Sequence, residues 1–492
     1  MSFISPTRIP AFAAMGAVAF ALAACADGDH DPTSPLTTHA RVGTVSAASV
    51  TPTATAAFTS KPSQVIKGWG VYPGGGDNPF WEKPLVQNAV YGMGATIIRD
   101  RLDDGLYVSG TNMANMVINT SLLAAYVAKW QAARAAGVTG YILSVWSPPA
   151  SMKTNGSNLG IYNGIDGTLI PSSEPAFVAF LTTVMESLDK SAVGAPIALS
   201  IQNEPEAVVG YGGSTLTPAM WQKVIMDTRG ALDYVGLRDI TLFGPENGQY
   251  TMAIYADYLI DSPGYLGGPD YPALTGLLDH AVGAYAFHTY AECSLGATQA
   301  AIQAHPKEAW MTEYSLPLGT TELAWTLDMM SAMAAHVVII PFSYWFWWNG
   351  YASSTAAPDN QTLVGGESTP ILSKRYLALK KLWTTVRPGW HVQAMTTTDP
   401  DLEVGAGSQD QCTARVHLMS YVNATGDSTV VQIVNVTTSN KQIQVAGLKG
   451  TAQHSFRTDA SNDMVQQPSS NIYKGYSTIS VPANSVVLAI LN

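Results

Sequence analysis

The sequence predicts an α/β fold: a (β/α)8 TIM barrel followed by a C-terminal antiparallel β-sandwich side domain. Three observations carry this reading. From residue 65 to 387, short β-branched runs alternate with longer helical patterns, which implies parallel strands joined by right-handed crossovers. Eight such strands fit into about 320 residues, which suits a closed barrel better than an open sheet. After Arg387-Pro388-Gly389 the helical period disappears, and short strands alternate with Gly, Asn and Asp clusters.

The elements follow in order. Residues 1–25 read as a lipoprotein-type export signal. Arg8 gives a weak positive start, and the apolar run from Ala11 to Ala24 is too short to span a bilayer. Leu22-Ala23-Ala24-Cys25 resembles a bacterial lipobox, with Cys25 as the lipidated residue; the alternative is an ordinary signal cut near Ala24 or Ala26. Residues 26–53 are rich in Ala, Thr, Ser and Pro and read as a flexible tether. Residues 54–64 hold a lone strand, from Ala54 to Thr59.

Barrel strands are expected at Val65 to Tyr72, Thr96 to Arg99, Tyr141 to Val145, Ile197 to Gln202, Ile240 to Phe243, Val282 to Phe287, Glu308 to Thr312 and Val337 to Phe342. Helices fit Phe80 to Met93, Asn119 to Ala136, Glu174 to Leu188, Met220 to Val235, Thr320 to Ala335 and Ile371 to Val386. The side domain, 388–492, has strand runs at Val416 to Val422, Thr429 to Val436, Gln442 to Val445 and Thr478 to Val481.

Composition narrows the function. The 492 residues are 47% hydrophobic and 12% charged, enough apolar residue for large cores. A net charge of −11 without a basic run argues against nucleic acid as a partner. The 12 Trp and 22 Tyr supply ring faces suited to stacking on sugars. Cys293 and Cys412 alone remain beyond the signal, too few for a disulfide scaffold. The chain has no His-Glu-x-x-His, no Cys-x-x-Cys, no Gly-x-Ser-x-Gly and no phosphate loop, so no metal or cofactor is expected.

Barrel chemistry gathers at the C-terminal ends of the strands. Read in order, those ends offer Arg99, Trp146, Asn203-Glu204-Pro205, His288-Thr289-Tyr290, Thr312-Glu313-Tyr314 and Trp345-Phe346-Trp347-Trp348-Asn349. Two carboxylates on one rim suit glycosidic cleavage, where one acid protonates the leaving oxygen and the other meets the oxocarbenium-like carbon. Glu204 fits the acid/base, with Asn203 beside it for a sugar hydroxyl. Glu313 fits the nucleophile, with Arg99 and Tyr290 as partners. His288 is a candidate substrate contact, and Trp146 with Trp347 or Trp348 a platform under a sugar ring. Glu246, after the fifth strand, is a third acid that suits either substrate or the surface.

Asn203-Glu204-Pro205 at strand four and Glu313 at strand seven resemble the signature of the clan A glycoside hydrolases. The chain more closely resembles glycoside hydrolase family 30. Lys67-Gly68-Trp69-Gly70 looks like the family's first strand, and Ile97-Ile98-Arg99 like its second. Trp146-Ser147-Pro148-Pro149 with Met152-Lys153-Thr154-Asn155-Gly156 looks like its third-strand loop, the most specific of these matches. Arg375-Tyr376 to Arg387-Pro388-Gly389 looks like its last helix and exit, and Val481-Pro482-Ala483-Asn484-Ser485 like the closing part of its side domain. The resemblance implies retaining hydrolysis of β-linked glycans or β-glycosides without a metal, on substrates such as β-1,6-glucan, β-1,6-galactan or xylan. It also implies that residues 54–64 join the side domain. The expectation is an exported, monomeric enzyme acting on a polysaccharide or oligosaccharide and touching a membrane only through its lipid anchor. The rival from another class is a non-catalytic glycan-binding lipoprotein on the same scaffold; another clan A family is a third reading.

Overall fold

The computed structural model describes residues 51–74, 84–248, 281–288, 290, 307–315, 317–351, 357–366, 369–404 and 415–492. Cys25, residues 26–50 of the tether, Cys293, Cys412 and Thr289 lie outside them.

Eight strands close a parallel barrel in sequence order. They are β1 (Gly68–Val71), β2 (Ile97–Leu102), β3 (Gly140–Val145), β4 (Ala198–Ser200), β5 (Thr241–Asn247), β6 (Ala284–His288), β7 (Glu308–Tyr314) and β8 (Phe342–Trp347). Strand β8 pairs with β1 and seals the ring.

The barrel interior follows from period-two alternation. Ile97, Ile142, Ala198, Phe243, Ala284, Ala286, Trp310 and Phe346 pack together inside. The alternate residues, such as Val145, Met311 and Trp345, face the helices. The large rings of β8 fit because β1 offers glycine opposite them. Tyr344 is in register with Gly68 and Phe346 with Gly70. A Cβ on Gly70 would sit 2.0 Å from the Phe346 ring, so this position tolerates no side chain.

Helix α1 (Pro84–Tyr91) follows β1, α2 (Thr120–Ala135) follows β2, α3 (Glu174–Asp189) follows β3, and α4 (Pro218–Tyr234) follows β4. After β7 and β8 come α5 (Glu322–Ile339) and α6 (Lys374–Thr385). Side-chain oxygens of Asn119, Thr217, Thr321 and Ser373 cap α2, α4, α5 and α6 by accepting from backbone N–H groups of the first turn.

One expected strand is wrong. The run from Val337 to Ile339 is the last turn of α5, and the eighth strand begins only at Phe342. A β-branched apolar run reads as strand, but α5 is buried on two sides and takes apolar residues all round. One of its faces packs on the barrel and the other on the side domain, where Gln432 donates to the Met330 carbonyl at 2.8 Å.

The side domain is one long sheet folded over its own core of Val416, Leu418, Val431, Ile433, Val445 and Val487. The leading strand Ala54–Val65 lies inside this sheet, with a strand hydrogen-bonded on each side. It runs antiparallel to His391–Thr396 and parallel to Lys441–Ala446. Leu402–Glu403 also runs parallel to Val416–Val422, so the sandwich is antiparallel apart from these two pairs. The chain leaves the leading strand directly into β1, which ties the sheet to the barrel floor. There Trp69 stacks on Trp383 at 6.1 Å and meets Tyr421 edge-on.

Candidate active site

The strand ends place the predicted residues on one rim. Alternation from Ile97 turns Arg99 inward, and alternation from Ala286 does the same for His288. Glu313 is opposite His288 in the β6–β7 pairing, just past a register shift. Glu204 lies beyond β4 with φ +46°, and Glu246 near the end of β5 with φ +57°. Left-handed backbone at a non-glycine residue costs roughly 1–3 kcal/mol and collects at functional sites.

Arg99 is the hub, fully enclosed. Its Nη1 donates to Glu313 Oε2 at 2.6 Å and its Nη2 to Asn203 Oδ1 at 2.5 Å. Its Nε donates to Glu246 Oε1 at 3.0 Å and reaches Ser144 Oγ at 3.1 Å. The guanidinium also lies 4.6 Å from the Trp146 ring centre. Burial opposes its charge, but the Glu246 and Glu313 carboxylates outweigh that and raise its pKa further.

Each catalytic candidate has both carboxyl oxygens held. Glu313 Oε2 takes Arg99, and its Oε1 accepts from the Tyr290 hydroxyl. Burial, then the Glu313 and Glu204 charges, push Tyr290 well above the ordinary phenol range, so it stays a donor. Glu204 Oε1 lies 2.9 Å from His288 Nδ1, and Oε2 accepts from Tyr211 at 2.9 Å. One oxygen of each glutamate and a His288 ring nitrogen lie within 4.8 Å of one another.

Charge is distributed unevenly among these acids. Burial disfavours the imidazolium, but Glu313, Glu204 and Glu246 surround it and lift His288 to about 9. Glu246 is fully buried, and that alone would raise its pKa. Arg99 first, then His288 and Ser200, hold it at about 2. Burial would likewise raise Glu204, but the hydrogen bonds from His288 and Tyr211 and the His288 and Arg99 charges hold it below the usual range.

Aromatic rings line one wall. Trp348 is half-buried and stacks on Tyr72 at 4.1 Å and on Trp146 at 5.6 Å. Trp347 is not part of this wall. It follows the inward Phe346, so it points outward, and it is fully enclosed. There its Nε1 donates to the Gln361 carbonyl at 2.9 Å and its ring meets Tyr314 edge-on.

Three site residues escaped the sequence reading or were left open by it. Tyr72 follows β1 directly, where strand-end position was the available signal. Tyr211 sits on a loop with no motif of its own. Glu246 is no surface acid; its exposure is 0%, and its place near the end of β5 was the clue. Glu206 accepts from Asn247 at 2.9 Å.

The barrel and side sheet together share the fold of solved family 30 glycoside hydrolases. The chain is similar to a family 30 endoxylanase from Clostridium papyrosolvens C71, at 19% identity and a TM-score of 0.67, over 89% of this chain and 99% of that one. It is similar to a family 30 subfamily 8 xylanase from Clostridium acetobutylicum at 19% identity, with a TM-score of 0.69 and the same shares of both chains. An endo-β-1,6-glucanase matches at 15% identity and a TM-score of 0.63, over 90% of this chain and 95% of that one. No protein-family model and no curated protein matches the sequence.

Proposed function

We propose that the protein is a retaining glycoside hydrolase acting on β-linked glycans or β-glycosides, with Glu313 as nucleophile and Glu204 as acid/base. The observation that carries this is the glutamate pair, with oxygens within 4.8 Å of each other on the barrel rim. Retaining enzymes keep their two carboxyl groups about 5–5.5 Å apart, whereas inverting enzymes need more room for a water.

Arg99 and Tyr290 point the Glu313 carboxylate at the anomeric carbon and hold it there. Attack forms the Glu313–sugar ester as the glycosidic bond breaks. The leaving oxygen takes a proton from Glu204. His288 Nδ1, 2.9 Å from Oε1, and the Tyr211 hydroxyl, 2.9 Å from Oε2, hold that carboxyl in place for the transfer. In the second half Glu204 deprotonates water, which cleaves the ester and regenerates the pair. Asn203 turns its Oδ1 to Arg99, which leaves its amide N–H groups for a sugar hydroxyl. Trp146, Trp348 and Tyr72 form the apolar wall for the sugar ring.

The similar xylanases and glucanase make xylan and β-1,6-glucan the first substrates to try, with β-1,6-galactan and aryl β-glycosides beside them. The same proposal includes export through residues 1–25 and a lipid on Cys25, which a Cys25→Ala variant found in the soluble fraction would support. Glu313→Ala is expected to lose turnover, and azide to restore it with an inverted glycosyl azide as product. Full activity of Glu313→Ala without azide would sink the assignment.

A further inference from the structure

Glu204 has a second partner that the two-glutamate scheme does not employ. Its Oε1 faces the enclosed His288 ring. Its Oε2 accepts at 2.9 Å from Tyr211, a residue 53% exposed. The oxygen that delivers the proton must face the departing group, and of the two Oε2 is the one whose partner reaches solvent. Tyr211 therefore stands where the leaving group arrives.

The placement is built into the fold. Tyr211 lies between β4 and α4, on a loop docked against the loop that follows β3. Gly160 N–H donates to the Tyr211 carbonyl at 2.8 Å, and Ile161 N–H to the Val209 carbonyl at 2.8 Å. A Cβ on Gly160 would come within 2.5 Å of that Val209 oxygen, so only glycine permits this approach. The buried Lys153 ammonium locks the two loops together. It donates to Ser147 Oγ at 3.0 Å, to the Leu159 carbonyl at 2.8 Å and to the Gly213 carbonyl at 2.5 Å. Ile161 and Val208 are exposed apolar residues on the same pair of loops.

We propose that Tyr211 is the leaving-group residue of this site: its hydroxyl holds the proton-carrying oxygen of Glu204, and its ring receives the flat face of the departing sugar. This rests on the retaining-hydrolase reading and deepens it. The substrate class is a β-glycan with at least one further sugar ring on the leaving side, cut within the chain.

The groups facing Glu204 are His288 from β6, Arg99 from β2, Glu313 from β7, Tyr290 and Tyr211, while Glu206 faces Tyr211. Of these, Tyr211 can lose its hydroxyl without removing a buried charge. A donor to the carboxylate stabilises the charged form, so its loss raises the Glu204 pKa.

The test uses the full chain with Tyr211→Phe and Tyr211→Ala. For Tyr211→Phe, the alkaline limb of kcat/KM and the carboxyl titration of 13C-labelled Glu204 should both move up by about half to one pH unit. Tyr211→Ala should raise KM for an oligosaccharide about tenfold through lost stacking. The β-glycosyl fluoride of the same sugar carries no ring on the leaving side, so its KM should stay within about twofold. An active wild type whose titration is unmoved by Tyr211→Phe, or equal losses on both substrates, would overturn the Tyr211 role alone. A wild type inactive on every β-glycoside tested overturns the hydrolase reading and this role with it.

Discussion

His288 Nδ1 lies 2.9 Å from Glu204 Oε1, and the same ring has Glu246 Oε1 3.9 Å from its Nε2. A histidine enclosed by carboxylates is stabilised as imidazolium in the folded chain. Its folded pKa of about 9 lies above the value of about 6.5 for an unfolded chain. The resulting stability is fully present below pH 6.5 and is lost as pH rises through 9. It is on the order of 3 kcal/mol. The urea midpoint of the wild type should therefore fall between pH 6.5 and 9, and His288→Gln should flatten that fall. Equal pH slopes for the two proteins would refute it.

Glu246 and Glu313 both neutralise Arg99, at 2.9 and 2.6 Å. Removing one partner of a buried pair leaves an uncompensated charge, at a cost of about 3–5 kcal/mol. Glu246→Ala should lower the melting temperature accordingly. It should also lower kcat by about a hundredfold, because the Arg99 fork that aims Glu313 loses its seat. Glu246→Gln keeps a hydrogen-bonding group for Arg99 Nε and should recover part of the stability. Calorimetry and steady-state kinetics on the two variants check this.

Trp347 and Trp348 are adjacent and have opposite roles. Trp347→Ala should cost about 3–5 kcal/mol of stability by leaving a cavity behind β8. Trp348→Ala removes a half-buried ring from the wall proposed to receive the sugar. It should raise KM about tenfold through lost stacking, with a smaller change in melting temperature. Reversed outcomes for the two would contradict the register of β8.

Several features of the fold and site were legible because they are local or periodic. The βα rhythm and the loss of helical period after Gly389 are written in neighbouring residues. Strand-end position alone places Arg99, Glu204, His288 and Glu313 on one rim, where the structure brings them together. The same alternation could have separated the two tryptophans, since Gly70 requires an inward Phe346 and hence an outward Trp347. The end of α5 was misread because its β-branched apolar residues are shared between the barrel and the side domain, and local pattern cannot show a second packing partner.

The sequence by itself determined the repeating barrel, the order of the rim residues and the pair of glutamates, since these follow from chain periodicity and residue type. Only the tertiary structure decided what surrounds them. Tyr211 reaches Glu204 because two loops dock through Lys153 and Gly160, and Glu246 meets Arg99 because closure of the barrel brings their strands face to face. These partners come from distant segments, and their charges and hydrogen bonds act through space, where sequence distance carries no information.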